Sequence, residues 1–383
     1  METPRIPFNK PFVVGKELYY IAQAVMEGQL SGDGFYTKRC HAWLEQRLGC
    51  SRAFLTHSCT AALEMAAILA DLKPGDEVIM PSFTFVSTAN AVVLRGAVPV
   101  FVDIRPDSLN VDERLIEAAI TARTRMMVAV HYAGVPCAMD EILAIAQRYG
   151  LIVVEDAAQA LLSRYKKKPL GSIGHLGCLS FHETKNIISG EGGALLVNAP
   201  ELVRRAEIIR EKGTNRCQFF RGEVDKYTWV DVGSSYLPSE LVGAFLFAQL
   251  EHADQINAAR CAIFDQYYQR LRPLEEKGHL RLPFMPPDCA ANGHLFYIIT
   301  SSLDERTRLI DHLRRQGILA VFHYVPLHSS PAGRHFGRLS GKMACTDEVS
   351  DRLLRLPLYY GMGDEDVERV VSAVYDFFAV KAG

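Results

Sequence analysis

Ile152-Val153-Val154-Glu155-Asp156-Ala157-Ala158-Gln159 is a β-branched apolar run that ends in two acids and then turns into small residues. Preceded by a helical period over 140–149, it reads as a buried strand fed by a helix. The same alternation continues outward on both sides, from about 53 to 197. Strands are expected at 53–56, 77–81, 98–102, 126–131, 152–156, 178–181 and 194–197, with helices between them such as 60–72 and 140–149. Strands separated by helices pair in parallel through crossover connections, so the expected class is α/β with a mostly parallel sheet.

Beyond that core the periodicity changes. The stretch 210–238 is rich in Gly, Asn, Arg and aromatic residues and has no regular period, which predicts a long ordered loop serving a site or an interface. A helical stretch over 239–272 leads into a second region with a strand near 296–300 and helices near 305–316 and 365–378. These segments predict a large α/β domain over 1–250, with an N-terminal arm, and a small C-terminal α+β domain over 251–383.

Composition limits the classes of function. The 383 residues are 49% hydrophobic, enough for a large core plus a smaller one. With 42 basic and 44 acidic residues the net charge is −2, which offers nothing to attract nucleic acid or an anionic membrane. The nine cysteines form no CxxC pair, which argues against a zinc knuckle or disulfide framework and for a reducing cytoplasm. The start lacks a basic segment followed by an apolar one, and no apolar run approaches about 18 residues, so neither export nor membrane insertion is expected.

Four places carry chemistry. Asp156 stands at the carboxyl end of a buried strand, where open α/β sheets bind ligands; alone, it serves equally well as a helix cap. In Leu179-Ser180-Phe181-His182-Glu183-Thr184-Lys185-Asn186 a strand leaves the core and delivers a lysine to the glycine-rich turn Ser189-Gly190-Glu191-Gly192-Gly193. A lysine forms a Schiff base only as the free amine, so its pKa of about 10.4 must be lowered by burial or a nearby cation. Thr56-His57-Ser58-Cys59-Thr60 runs from a strand into a helix, whose first N–H groups suit a phosphate monoester or need only an ordinary cap. Pro81-Ser82-Phe83-Thr84-Phe85 presents aromatics at another strand end, for stacking on a planar ring or for packing. Together these are the parts that pyridoxal 5′-phosphate (PLP) requires: an imine-forming lysine, an acid for the pyridine nitrogen, a phosphate cup and a ring platform. No metal-ligating set accompanies them.

These residues, with Ser31-Gly32-Asp33-Gly34, Pro74-Gly75-Asp76-Glu77-Val78-Ile79 and Gly190-Glu191-Gly192-Gly193-Ala194, resemble the DegT/DnrJ/EryC1/StrS family of sugar aminotransferases over nearly the whole chain. The resemblance implies the PLP-dependent transferase fold type I, the aspartate aminotransferase architecture. It implies that Lys185 holds the cofactor, Asp156 pairs with the ring nitrogen, Gln159 contacts the ring hydroxyl side, Phe85 stacks on the ring, and Ser58, Cys59, Thr60 and Ser180 hold the phosphate. Many members have an asparagine that reaches the neighbouring subunit's phosphate; here Gly233-Ser234-Ser235-Tyr236-Leu237 offers Ser235 instead.

A narrower likeness within the family rests on Val130-His131-Tyr132-Ala133-Gly134, the segment 210–216, Tyr227-Thr228-Trp229 and Phe322-His323-Tyr324-Val325-Pro326-Leu327-His328. It implies a homodimer with shared active sites, glutamate as amino donor and a dTDP-linked 4-keto-6-deoxy sugar as acceptor, in lipopolysaccharide or enterobacterial common antigen biosynthesis. The substrate-binding residues implied are Lys212, Asn215, Arg216, Tyr236, His323 and Tyr324. A UDP-linked or 3-keto acceptor stays open, and a PLP-binding regulator without activity is the alternative from another class. A related sugar dehydratase is disfavoured, because its members carry histidine where this chain has Lys185.

Overall fold

The computed structural model describes residues 5–379. Seven of the eight strands of its main sheet come in order: β1 (Arg52–Thr56), β2 (Glu77–Pro81), β3 (Val98–Val102), β4 (Thr124–Val130), β5 (Ile152–Asp156), β6 (Leu176–Ser180) and β7 (Gly193–Val197). Their spatial order is β1-β7-β6-β5-β4-β2-β3, and only β7 runs against its neighbours. The sheet is thus mostly parallel, as expected. Alternate residues feed two separate cores: Val153, Met127 and Ala129 on one face, Val154, Met126 and Val128 on the other. Burial on both faces is why these strands read as continuous apolar runs.

The N-terminal segment adds two helices that the pattern did not announce, α1 (Glu17–Met26) and α2 (Phe35–Leu48). Their attachment explains the Ser31-to-Gly34 motif. Asp33, at φ 66°, pairs with the buried guanidinium of Arg210 at 2.7 Å, and the Gly34 N–H donates to Glu240 at 3.1 Å. A Cβ on Gly34 would sit 2.5 Å from the Glu240 carboxyl carbon.

The chain then forms α3 (Cys59–Leu69) and α4 (Val86–Val93) after β1 and β2. The region 210–238 is an ordered lobe, as expected. It contains the short helix Arg216–Phe220, and isolated antiparallel bridges Glu211↔Ser235 and Thr214↔Trp229 tie its two limbs together. The single helix expected over 239–272 is two, Glu240–Glu251 and Ala253–Glu276, broken at His252, whose N–H turns back to Gln249 and Leu250.

The C-terminal region builds an antiparallel sheet of β8 (Phe296–Ile299), β9 (Val321–Phe322) and β11 (Leu353–Leu356), with β11 in the middle. It packs with the helices Leu303–Arg315 and Asp364–Ala379 around Tyr267, Phe296, Leu354 and Val370. Between those two strands of its own, β9 and β11, the chain sends β10 (Arg338–Leu339) back to the main sheet, parallel to the edge of β3. A smaller apolar cluster, including Phe83, Tyr132, Tyr297 and Leu353, joins the two regions. No helix among the described residues is long and apolar enough to cross a membrane.

Candidate active site

A cavity of about 710 Å³ opens at the carboxyl ends of the parallel strands, between the main sheet and the C-terminal region. It gathers Ser58, Cys59, Thr60, Phe85, Asp156, Gln159, Ser180, Lys185, His323 and Tyr324, ten of the residues singled out in the sequence.

One end is a turn rich in free donors. Ser58 caps α3 by accepting from the Ala61 N–H at 3.1 Å, and the Thr60 hydroxyl meets that of Ser87 at 2.7 Å. The N–H groups of Cys59 and Thr60 have no acceptor among the described residues, which leaves two donors at the positive end of a helix. Opposite them lies Gly193, paired with Thr56 and Ser180. A side chain there would put its Cβ 2.4 Å from the Cys59 nitrogen, so glycine lets β7 pass close to this turn.

Lys185 hangs on the loop between β6 and β7, which closes through Glu183 N–H to Gly190 O and Lys185 N–H to His182 O. Its amine makes no hydrogen bond or ion pair among the described residues. Burial holds its pKa below that of an ordinary lysine; Cys59 and Asp156 pull the other way, and Arg355 adds to the lowering. Asp156 ends β5, accepting from the Thr88 hydroxyl at 2.8 Å and the Ala158 N–H at 3.2 Å. Strand alternation turns its neighbour Glu155 to the other side. There Glu155 accepts from the N–H groups of Gly171, Ile173 and Gly174 and meets His131 Nε2 at 2.9 Å.

The remaining walls are aromatic. Phe85 is 58% exposed, a large ring left facing open space, 6.4 Å from the ring of Tyr324. Gln159 is fixed at both ends, accepting from the Ala133 N–H at 2.7 Å and donating to the Tyr324 hydroxyl at 2.9 Å. His323 lies against Tyr324 with the two rings tilted by 38° and meets the Tyr132 hydroxyl at 3.0 Å.

Five candidates lie elsewhere in this chain. Lys212, Arg216 and Ser235 are exposed on the lobe 210–238, where Arg216 pairs with Glu211 at 3.4 Å. Asn215 is buried and clasps the Thr228 backbone, accepting from its N–H at 2.7 Å. Tyr236 is packed in the core beside His57, its ring 6.2 Å away.

Among the lining residues not singled out are His131, His294 and Arg355. His131 had a signal, since it directly follows β4 in a quoted motif. His294 and Arg355 belong to the C-terminal region, where no local pattern distinguishes them. The Asn186 amide nitrogen donates to Asn292 O, so its oxygen accepts from His294 Nδ1 at 2.8 Å. Burial, with Lys185 and two arginines nearby, holds the His294 pKa well below that of an ordinary histidine.

The donor set fits pyridoxal phosphate: free N–H groups for a phosphate, an unpaired amine within the same cavity, an acid with fixed geometry and an aromatic face open to a planar ring. Known proteins agree. The chain is 33% identical to the spore coat polysaccharide biosynthesis protein SpsC of Bacillus subtilis, over 97% of this chain and 96% of that one. It is similar to the crystal structure of S. venezuelae DesV in complex with a ketimine intermediate: TM-score 0.88, 31% identity, 98% and 99% of the two chains covered. It is also similar to the aminotransferase TlmJ from Streptoalloteichus hindustanus: TM-score 0.90, 28% identity, 99% and 100% covered. The fold is therefore the PLP-dependent transferase fold type I, and the cofactor is PLP. With residues 13–375 matching the family profile, this chain belongs to the DegT/DnrJ/EryC1/StrS aminotransferase family.

Proposed function

We propose that the protein transfers the amino group of glutamate to dTDP-4-keto-6-deoxyglucose, yielding dTDP-4-amino-4,6-dideoxygalactose and 2-oxoglutarate: the activity of a dTDP-4-amino-4,6-dideoxygalactose transaminase. The observation that carries the amino transfer is the unpaired, half-buried amine of Lys185 in one cavity with Asp156 and the free N–H groups of Cys59 and Thr60. The choice of sugar is supported by the likeness of the segments around 130–134, 210–216, 227–229 and 322–328. A relative concerned with polysaccharide supports the general class.

Each residue then has a task. The turn at Ser58, Cys59 and Thr60, with Ser180, holds the phosphate, and Phe85 covers one face of the ring. Asp156, kept in place by Thr88, holds a proton at the ring nitrogen, while Gln159 bonds on the ring's hydroxyl side. Bound pyridoxal phosphate supplies the carbon that takes the amine and a protonated ring that accepts the electrons of the broken Cα–H bond. Lys185 Nζ, once freed, takes the proton from the donor's Cα and returns one to C4 of the sugar in the second half-reaction. Tyr324 and His323 line the acceptor side. Lys212, Asn215, Arg216, Tyr236 and Ser235 serve the neighbouring site of a homodimer, directly or by shaping the lobe that reaches it. Residues 1–250 form the cofactor domain, and 251–383 the small domain closing over it.

Coupled assays with glutamate should show turnover of the dTDP-linked 4-keto sugar at least tenfold above its UDP-linked counterpart. NMR couplings at C4 should show the axial amine. Preference for a UDP-linked or 3-keto acceptor removes the sugar assignment and leaves the aminotransferase; an equatorial amine moves the product to the gluco configuration.

A further inference from the structure

His294 is buried in the cavity wall just ahead of β8, and one of its ring nitrogens is unspent. A chain of fixed amides decides which one. The Asn292 side-chain nitrogen donates to Gln159 O and Leu161 O, both at 2.9 Å, so its oxygen is the acceptor for the His294 N–H at 3.1 Å. The Asn186 side-chain nitrogen donates to Asn292 O at 2.8 Å, so its oxygen takes the hydrogen of His294 Nδ1, also at 2.8 Å. A neutral imidazole carries one N–H; with it on Nδ1, Nε2 is a bare lone pair. Nε2 has no hydrogen-bond partner among the described residues. His131, in the same cavity wall, differs: its Nδ1 accepts from the Cys137 N–H and its Nε2 meets Glu155, so both nitrogens are used.

The surroundings keep His294 neutral. A second proton would set an imidazolium among Lys185, Arg355 and Arg260, the last of which already donates to the His294 carbonyl at 2.6 Å, with only an amide behind the ring to share the charge. The ring is therefore an acceptor and not a base. Of the charged groups around it, Lys185 weighs most on it, and the Lys185 amine is itself without a partner. Asn186 follows Lys185 directly, so the clamp that orients the imidazole also holds the loop that carries the lysine. A carboxylate in this place would form an ion pair and keep the lysine charged, whereas a neutral imidazole offers a lone pair without that penalty.

We propose that His294 is a positioning residue for Lys185: its Nε2 accepts a hydrogen from the freed Nζ and so turns the amine's lone pair toward the carbon whose proton it takes. This rests on the aminotransferase reading but on no choice of sugar. The bond strengthens as Nζ gains the proton, because an ammonium is a better donor than an amine, and it thus favours the transition state over the ground state. The proton passes from Cα to Nζ and stays there until it is delivered; His294 gains none and releases none.

Two substitutions separate the two bonds of the ring. An asparagine side-chain nitrogen reaches the place of Nδ1 and a glutamine side-chain oxygen that of Nε2, so His294→Asn keeps the bond to Asn186 and loses the cavity acceptor, while His294→Gln does the reverse. In single-turnover donor half-reactions of the holoenzyme with glutamate, His294→Asn should be about 30-fold slower, with half-saturation within about twofold and a larger isotope effect from deuterium at Cα. His294→Gln should keep roughly a third of the wild-type rate, since an acceptor remains. A second readout needs neither cofactor nor turnover. In the cofactor-free protein, nitrogen NMR, with the signal assigned by its loss in His294→Asn, should show Nε2 without a proton near neutral pH and displaced in Lys185→Ala. A Gln variant slower than the Asn variant, an unaltered isotope effect in His294→Asn, or an Nε2–H or doubly protonated ring would overturn the proposal and leave His294 a structural link. Should one variant not fold, the other together with the NMR signal decides. A wild-type holoenzyme inert toward every amino acid would overturn the aminotransferase reading itself.

Discussion

An amine that must react as a free base has to be held below the usual lysine pKa, and Lys185 is half-buried and pairs with no carboxylate among the described residues. Lys185→Ala should abolish transamination while leaving the thermal midpoint within a few degrees, because the side chain makes no hydrogen bond or ion pair whose loss would unfold the site. Borohydride treatment of the yellow wild-type protein, followed by peptide mapping, should place the pyridoxyl label on residue 185 and nowhere else. Asp156→Asn keeps the hydrogen bond from Thr88 but loses the charge, so cofactor retention should persist while kcat falls by about 100-fold or more. Normal turnover at saturating cofactor would reduce Asp156 to a structural cap. Both residues were legible because each sits where a strand ends and the chain turns, a place that local sequence marks. Arg355 and His294 were not. Their meaning comes from which face of a short strand or loop meets a distant element, and two-to-four-residue strands have too few positions to show a period.

At the scale of elements, the docking of β10 on β3 is secured by charge. Arg338 reaches across to Glu77, which is fully buried at the start of β2 and also bonded by Arg123 and the Thr121 hydroxyl. The hydrogen bonds from Arg338, ahead of the opposing effect of burial, hold the Glu77 carboxyl at about 2 against its ordinary 4.5. A carboxyl lowered on folding contributes stability that is complete above its unfolded value and is lost as the pH falls toward its folded one. That window here runs from 4.5 down to about 2. Arg338→Ala should therefore destabilise the protein by about 2 kcal/mol near neutral pH and flatten the acid side of its stability curve, as read by urea unfolding at several pH values. An unchanged acid limb would mean that Arg123 and Thr121 alone hold the carboxylate. The sequence marked the β2 motif around Glu77 but not its partner, which arrives from residue 338. The paired helices after 239 were likewise read as one, since a break of a single residue at His252 leaves the apolar spacing almost intact.

For the molecule as a whole, the ordered lobe 210–238 carries aromatic residues that the other described residues leave largely exposed. Trp229 is 78% exposed and Phe220 69%. If a second copy covers them, iodide should quench Trp229 fluorescence far less in the native protein than in a dilute, dissociated sample, with Trp43→Phe isolating the signal. Trp229→Asp should shift sedimentation toward the monomer and lower activity with it, and a fully active monomer would remove the shared-site proposal. The large sheet itself was legible because long fully buried strands repeat one pattern; the closing strand was not, because it is two residues long. That strand also sets a condition on synthesis. While the ribosome is still making the C-terminal region, β3 has emerged with its outer edge bare, a template on which other nascent chains can align. Sealing waits for a segment far downstream, a delay that favours slow folding. Fragments ending before residue 338 should accordingly collect in inclusion bodies even though every strand from β1 to β7 is present in them.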